Sequence, residues 1–261
     1  MELSERQHEI VAHARRVGRV GVEELAARFA VTPQTIRRDL NELCLHGLLS
    51  RVHGGAVPAH SVANSDYGQR RALAAPEKRR IGEAAAALIP EHCSLFINIG
   101  TTTEQVAQAL REHRDLVVIT NNINVVNILS GAPAKEIIVA GGVVRPSDGG
   151  VVGEATVDFI SQFKVDFAVV GASALDEDGS ILDYDYREVK VSQAILANAR
   201  HRLLVADHLK FARSAPVRIG HIGMVDRLIT DAAPPEPFAK VCAEHGVAID
   251  VAEEPRAQAF A

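Results

Sequence analysis

The sequence predicts two folded units: a winged helix-turn-helix over residues 1–57, and an α/β unit over 76–253 whose parallel sheet is covered by helices on both faces. Three observations predict them. Residues 32–49 spell out one helix with its start, its faces and its stop. A short ribbon with a Gly54-Gly55 turn follows it. Beyond residue 76, short apolar runs alternate with amphipathic helical stretches, the pattern of a sheet buried on both faces. Between the two units, residues 58–75 read as a linker, small and polar over 58–66.

Composition sets the outer limits. A chain of 261 residues, 47% of them hydrophobic, can bury a sizeable core and suits two domains. The net charge of −5 lies beyond residue 57, because the first 57 residues hold eight arginines against seven acids. No apolar run is long enough to span a membrane, and residues 1–20 are polar and charged, so a cytoplasmic protein without a membrane partner is expected. Cys44, Cys93 and Cys242 are odd in number and far apart, and read as buried reduced thiols. The histidines lack metal-ligand spacing. Neither Gly-x-Gly-x-x-Gly nor a Walker loop occurs, so no cofactor is expected.

The first unit reads in order. Ser4 and Gln7 form a capping box ahead of Ile10, Val11 and Ala14 at helical spacing. Residues 20–22 are a short extended connector, and 22–29 a second helix with Leu25, Ala26 and Phe29 inward. Ala30 and Val31 make the turn. Thr32 then caps the third helix, Pro33 suits its first position and Gly47 stops it. Ile36, Leu40 and Leu43 share the inner face. Gln34, Arg38 and Asn41 lie opposite, with Thr35 and Arg37 on the flanks. Arginine can pair with guanine and Gln or Asn with adenine, so this face is the candidate DNA reader. Arg51 and His53 on the ribbon would lie along a phosphate backbone.

In the second unit Pro76 opens a helix that runs to Pro90, with Ile81, Ala84, Ala85 and Leu88 inward. Strands are expected over 94–97, 116–120, 136–140, 165–170, 202–206 and 227–230, and helices over 104–110, 123–129, 156–162, 187–198 and 237–245. In open α/β sheets ligands bind beyond the C-terminal strand ends. Those ends carry Gly100-Thr101-Thr102-Thr103, Asn121-Asn122, Gly141-Gly142, Gly171-Ala172-Ser173 and Asp207-x-x-Lys210, with Gly150 nearby. A glycine and three hydroxyls at a helix start favour an anion. Lys210 adds positive charge, and Asp207 and Asn121 can take hydroxyl groups. Together they describe a pocket for a small phosphorylated polyol.

The segments 22–26, 31–40 and 51–56 resemble the signature of DeoR-type bacterial transcription regulators. The second unit is similar to the sensor domain of that family at Gly100-Thr101-Thr102, Thr120-Asn121, Gly141-Gly142 and Asp207-x-x-Lys210-Phe211. The resemblance implies a sugar-phosphate isomerase-like fold, operator DNA as partner, repression, and relief by a phosphorylated inducer. Along 148–155, 183–189 and 224–231 it is strongest to members that respond to glycerol 3-phosphate. Leu209 and Ala212 stand where the family commonly has Ser and Gly. A homo-oligomer, dimer or larger, is expected from the two-fold symmetry of operators. The competing class is a sugar-phosphate isomerase with an appended DNA-binding module, for which Asp166, Asp176, Glu177 or Asp178 would supply a general base. The helix-turn-helix favours a regulator without catalysis.

Overall fold

The computed structural model describes residues 3–17, 20–52, 54–58, 67–132 and 135–252. The first unit consists of α1 (Glu5–Val17), α2 (Val22–Phe29) and α3 (Pro33–Leu45). A small antiparallel sheet joins them, in the order β1 (Val20–Gly21), β3 (Gly55–Pro58), β2 (Leu49–Val52). Local chemistry accounts for each boundary. Ser4 N–H donates to Gln7 Oε1 (2.9 Å) and Gln7 N–H to Ser4 Oγ (3.2 Å), the reciprocal cap that starts α1. Ala30 takes the left-handed conformation (φ 51°) that turns α2 into α3. Thr32 Oγ1 accepts the Thr35 N–H at 3.2 Å. Gly55 is required because a Cβ there would lie 2.0 Å from Val20 O, where β1 meets β3.

The inner faces of the three helices form one core. Ile10, Ala14, Leu25, Ile36, Leu40 and Leu43 are all fully buried in it. A second tie joins α1 to α3: Arg6 donates twice, at 2.7 and 3.3 Å, to the buried Asp39 carboxylate.

The second unit is a seven-stranded parallel sheet. Its order is β15 (Ala248–Val251), β14 (Arg227–Thr230), β12 (Ala199–Val205), β9 (Val165–Gly171), β4 (Ser94–Ile97), β5 (Leu116–Thr120), β6 (Lys135–Val139). Alternating side chains serve two cores. Leu95, Ile97, Val169 and Leu203 pack beneath α5 (Ala75–Ala87), α6 (Thr101–Ala109) and α7 (Ile123–Leu129). Phe96, Ala168, Val170 and Leu204 pack beneath α8 (Glu154–Ile160), α9 (Tyr186–Ala197) and α10 (Glu236–Glu244).

From β4 the sheet grows through β5 and β6 in one direction, and from β9 through β12, β14 and β15 in the other. The loops after β4 and β9 therefore diverge and leave a crevice, the switch point at which open α/β sheets bind ligands.

Several elements differ from expectation. Leu88 is 36% exposed, because α5 ends at Ala87 and Ile89 turns inward instead. Cys44 and Cys93 are half-buried and Cys242 alone of the three is buried. A short helix, α4 (Tyr67–Ala72), lies within the stretch read as linker. The edge strand β15 was not foreseen. Neither were the ribbon of β7 (Val143–Arg145) and β8 (Gly150–Val152), nor the small sheet of β10 (Ala174–Leu175), β11 (Ser180–Asp183) and β13 (Val217–His221). Among the described residues no helix is long and apolar enough to cross a membrane, and no group of His, Cys, Asp and Glu is arranged to hold a metal.

Candidate nucleic-acid face and ligand cavity

Helix α3 turns Gln34, Arg37, Arg38 and Asn41 to solvent. Thr35 is half-buried, its Oγ1 2.9 Å from the Oγ1 of the capping Thr32. The guanidinium groups are held loosely. Arg38 is 83% exposed and sits 3.3 Å from Glu42, one turn on; Arg37 is 49% exposed and 3.6 Å from Glu23 of α2. Exposed pairs of this kind contribute about 0–1 kcal/mol, so either arginine can leave its acid for a base or a phosphate. An open groove runs beside them, walled by Ser4, Arg6, Thr32, Gln34 and Asn41. Arg51 is exposed on β2. His53 lies outside the described residues.

The second site is a cavity at the switch point, lined by Arg70, Ile99, Gly100, Thr101, Thr102, Gly171, Ala172, Ser173, Asp183, Glu188 and Lys210. The loop after β4 is fixed from within. Asn98 donates to Ser192 Oγ (2.8 Å) and accepts the Ile99 N–H (2.8 Å), while Thr103 Oγ1 donates to the carbonyls of Asn98 (2.7 Å) and Gly100 (2.8 Å). Gly100 (φ 150°) then starts α6, so the first N–H groups of that helix open on the cavity wall.

Cations and acids share the lining of this small space. Lys210 stands on a short 3-10 helix, His208–Ala212, capped by Asp207 Oδ1, which accepts the Leu209 N–H at 3.2 Å. Burial pushes its ammonium down to about 7, with Asp207 opposing and Arg213, Lys78 and Arg70 adding to the shift. Arg70 comes from α4 and donates to Asp148 Oδ2 at 2.9 Å. On the acidic side, Asp183 accepts from Ser173 Oγ (3.1 Å) and the Tyr184 N–H (2.6 Å), and burial raises its carboxyl above the usual range. Burial, then the neighbouring Asp183, pushes Glu188 up to about 8 against the pull of Arg145, which donates to it at 2.6 Å. The cations and N–H groups of the lining thus suit an anion, and its carboxyl groups suit hydroxyls.

Of the residues read as ligand-binding, Gly100, Thr101, Thr102 and Lys210 line this cavity. The others do not line it. Thr103 is fully buried and turned into its own loop. Asn121 Nδ2 donates to Val151 O (3.2 Å), and Oδ1 has no partner among the described residues. Asn122 donates to Glu104 (3.2 Å). Gly141 O accepts from Thr156 Oγ1 (2.9 Å), and a Cβ on Gly142 would lie 2.1 Å from that same oxygen. Gly150 packs behind the lining residue Ile99. Asp207 is buried under the Lys210 turn, 4.0 Å from Lys78 Nζ.

The acids named for catalysis lie elsewhere. Asp166, at the start of β9, accepts from Ser94 N–H (3.0 Å) and Oγ (2.7 Å), on the edge of the sheet opposite the cavity. Residues 176–178 belong to the turn between β10 and β11. Four cavity residues were missed: Ile99; Arg70, hidden in the apparent linker; and Asp183 and Glu188, which flank the start of α9. A five-residue spacing of two acids across a helix cap is too common a pattern to single them out.

Residues 6–62 match the DeoR-like helix-turn-helix domain and residues 74–232 the DeoR C terminal sensor domain. The chain is 47% identical to the glycerol-3-phosphate regulon repressor of Escherichia coli (strain K12), over 96% of this chain and 100% of that protein. It is 48% identical to the repressor of the same name from Haemophilus influenzae, over 90% of this chain and 91% of that one. It is 41% identical to the HTH-type transcriptional repressor CsqR of Escherichia coli (strain K12), over 84% of each. Among solved structures it is similar to ribose 5-phosphate isomerase A from Methanocaldococcus jannaschii, with 12% identity over 53% of this chain and 55% of that one and a TM-score of 0.40. Both family models match in the order of the two folded units, and the chain belongs to the DeoR family of transcriptional regulators.

Proposed function

We propose that this chain is a repressor that holds operator DNA with its winged helix and releases it when glycerol 3-phosphate occupies the switch-point cavity. The observation that carries the reading is the charge layout of that cavity. The N–H groups at the start of α6, with Lys210 and Arg70, suit a phosphate. Ser173, Asp183 and Glu188 suit the hydroxyls of a short polyol. The names of the Escherichia coli and Haemophilus influenzae relatives support glycerol 3-phosphate as that polyol. On this reading Gln34, Thr35, Arg38 and Asn41 contact bases, and Arg37, Arg51 and His53 contact phosphates.

The cavity binds its ligand without turning it over. One observation favours an isomerase instead: two carboxyls and a lysine share the cavity. Both carboxyls already have fixed partners, Asp183 with Ser173 and Tyr184, Glu188 with Arg145, which suits recognition better than proton transfer. The repressor acts as a dimer or larger. Val139 on the edge strand β6 and Val143 and Val144 on the ribbon, exposed by 38%, 65% and 50%, offer an apolar contact.

The test is operator binding titrated in parallel with glycerol 3-phosphate, glycerol and inorganic phosphate. Release by glycerol 3-phosphate at far lower concentration than by the other two is expected. Equal release by glycerol would end the anion mechanism, and turnover of sugar phosphates by the purified chain would revive the isomerase.

A further inference from the structure

The switch-point cavity has about 30 Å³ of free volume, room for one or two waters. A polyol phosphate enters only if part of the lining moves. Most of the lining belongs to the ends of β4 and β9 and to helix starts anchored in the sheet. Asp183 ends a strand of the small sheet, and Arg70 comes from α4, a single turn and a half of helix outside both sheets.

Helix α4 has two sides. Toward the cavity, the Arg70 guanidinium reaches Asp148, the Arg70 carbonyl accepts from Lys78 Nζ and from Thr101 Oγ1 (3.4 Å), and Tyr67 Oη donates to Glu104 (2.8 Å). Away from it, Gln69, Ala72 and the following Leu73 share a groove with Asn41, Cys44 and His46 at the end of the DNA-reading helix. The turn that carries Lys210 also touches that end. Arg213, three residues beyond Lys210, donates to His46 O at 3.2 Å, and Ala212 packs on the core of the first unit.

The Arg70–Asp148 bond is one that can be surrendered. Asp148 is also held by Arg145, which donates to both of its oxygens at 2.8 and 2.7 Å. When Arg70 leaves, that carboxylate keeps a two-pronged partner and is not stranded. We propose that Arg70 is a ligand-binding residue supplied by α4: the phosphate of the bound ligand takes its guanidinium from Asp148, and α4 shifts against the end of α3. The inference rests on the phosphorylated-ligand reading above. It explains how a small anion in the second unit alters the posture of the first.

The test uses the full chain as wild type, Arg70→Ala, Arg70→Lys and Asp148→Asn. Calorimetric titration with glycerol 3-phosphate and with inorganic phosphate reads binding. The alkylation rate of Cys44, followed by peptide mass spectrometry, reads the α4–α3 groove. Loss of one charge-assisted contact should weaken both anions about 10- to 100-fold in Arg70→Ala and less in Arg70→Lys. Asp148→Asn frees Arg70 and should tighten both.

A bridge with a merely structural role would make Arg70→Ala and Asp148→Asn weaken binding alike, and that result overturns the proposal, as does Arg70→Ala binding like wild type. If Arg70→Ala fails to fold, Arg70→Lys against Asp148→Asn still gives the opposed signs. Glycerol 3-phosphate should change the Cys44 rate in wild type and not in Arg70→Ala, and an unchanged wild-type rate refutes the movement of α4. If wild type binds phosphate through Arg70 and ignores glycerol 3-phosphate, the ligand assignment falls and Arg70 stands. If it binds neither, both fall.

Discussion

Replacing Lys210 with Met should make the protein more stable and deaf to its inducer. Among the described residues nothing accepts a hydrogen bond from Lys210 Nζ, and Arg213, Lys78 and Arg70 are the cations around it. Burial pushes its pKa from 10.5 to about 7. At about 1.36 kcal/mol per unit, that corresponds to about 5 kcal/mol held against folding, an upper bound because the side chain keeps partial contact with water through the cavity mouth. The sign follows from proton counts. Between pH 7 and 10.5 the unfolded chain holds a proton that the folded chain has lost, so wild-type stability rises with pH across that window. The gain in Lys210→Met is therefore full below pH 7 and gone by pH 10.5. Even about 2 kcal/mol of it would raise Tm by roughly 4–8 °C. Scanning calorimetry at pH 6, 8 and 10 measures this, and operator titration with glycerol 3-phosphate measures the loss of response. A lower Tm at pH 6, or release as in wild type, would refute the reasoning.

Three more outcomes are expected. Arg38→Ala should keep its melting temperature and lose about 1–3 kcal/mol of discrimination at one base pair, whereas Arg37→Ala should weaken all sequences and flatten the salt dependence; operator and random-duplex binding at several salt concentrations separates the two. Glycerol 3-phosphate affinity should fall above pH 7, where Lys210 (about 7) and then Glu188 (about 8) lose the protons that favour an anion. The slope should approach about tenfold per pH unit for each proton recovered, and a flat calorimetric profile from about pH 6.5 to 9 would contradict it. Sedimentation at operator-binding concentrations should find a dimer or larger, with Val143→Glu and Val144→Glu shifting it toward monomer.

The first unit was legible because its signals are local. Ser4, Gly47 and Thr32 act within four residues, and Ile36, Leu40 and Leu43 repeat at the helical period, so its three helices fall where they were expected. The central strands were legible for a similar reason: residues apolar on both faces, as in Leu116–Thr120, have few other uses. Short antiparallel strands such as Ala174–Leu175 carry too few residues to establish a period. The cavity was half legible. Gly100, Thr101, Thr102 and Lys210 follow strand ends, where topology directs attention. Arg70 is different, since nothing local distinguishes an arginine at the edge of a linker from a solvated one. Its role depends on Asp148, a partner 78 positions away.

The energetics of induction match the contacts that join the two units. Coupling between effector and DNA of about 1–3 kcal/mol is typical, and by linkage the operator-bound form must bind the effector more weakly by the same factor. A hydrogen bond to a charged group contributes about 1.5–3 kcal/mol. The bond from Arg213 to His46 O, set three residues from the cavity lysine, is of that class and spans both units. So is the bond from Arg70 to Asp148, which fixes the helix that shares a groove with Cys44 and His46. A phosphate that competes for the Arg70 guanidinium therefore exchanges one charge-assisted bond for another at little net cost, while removing a restraint on the helix beside the DNA-binding unit. No large rearrangement of the sheet is required. The sheet can stay rigid and keep the Gly100 loop and Lys210 in place, and the two short connections above it set the posture of the reading helix.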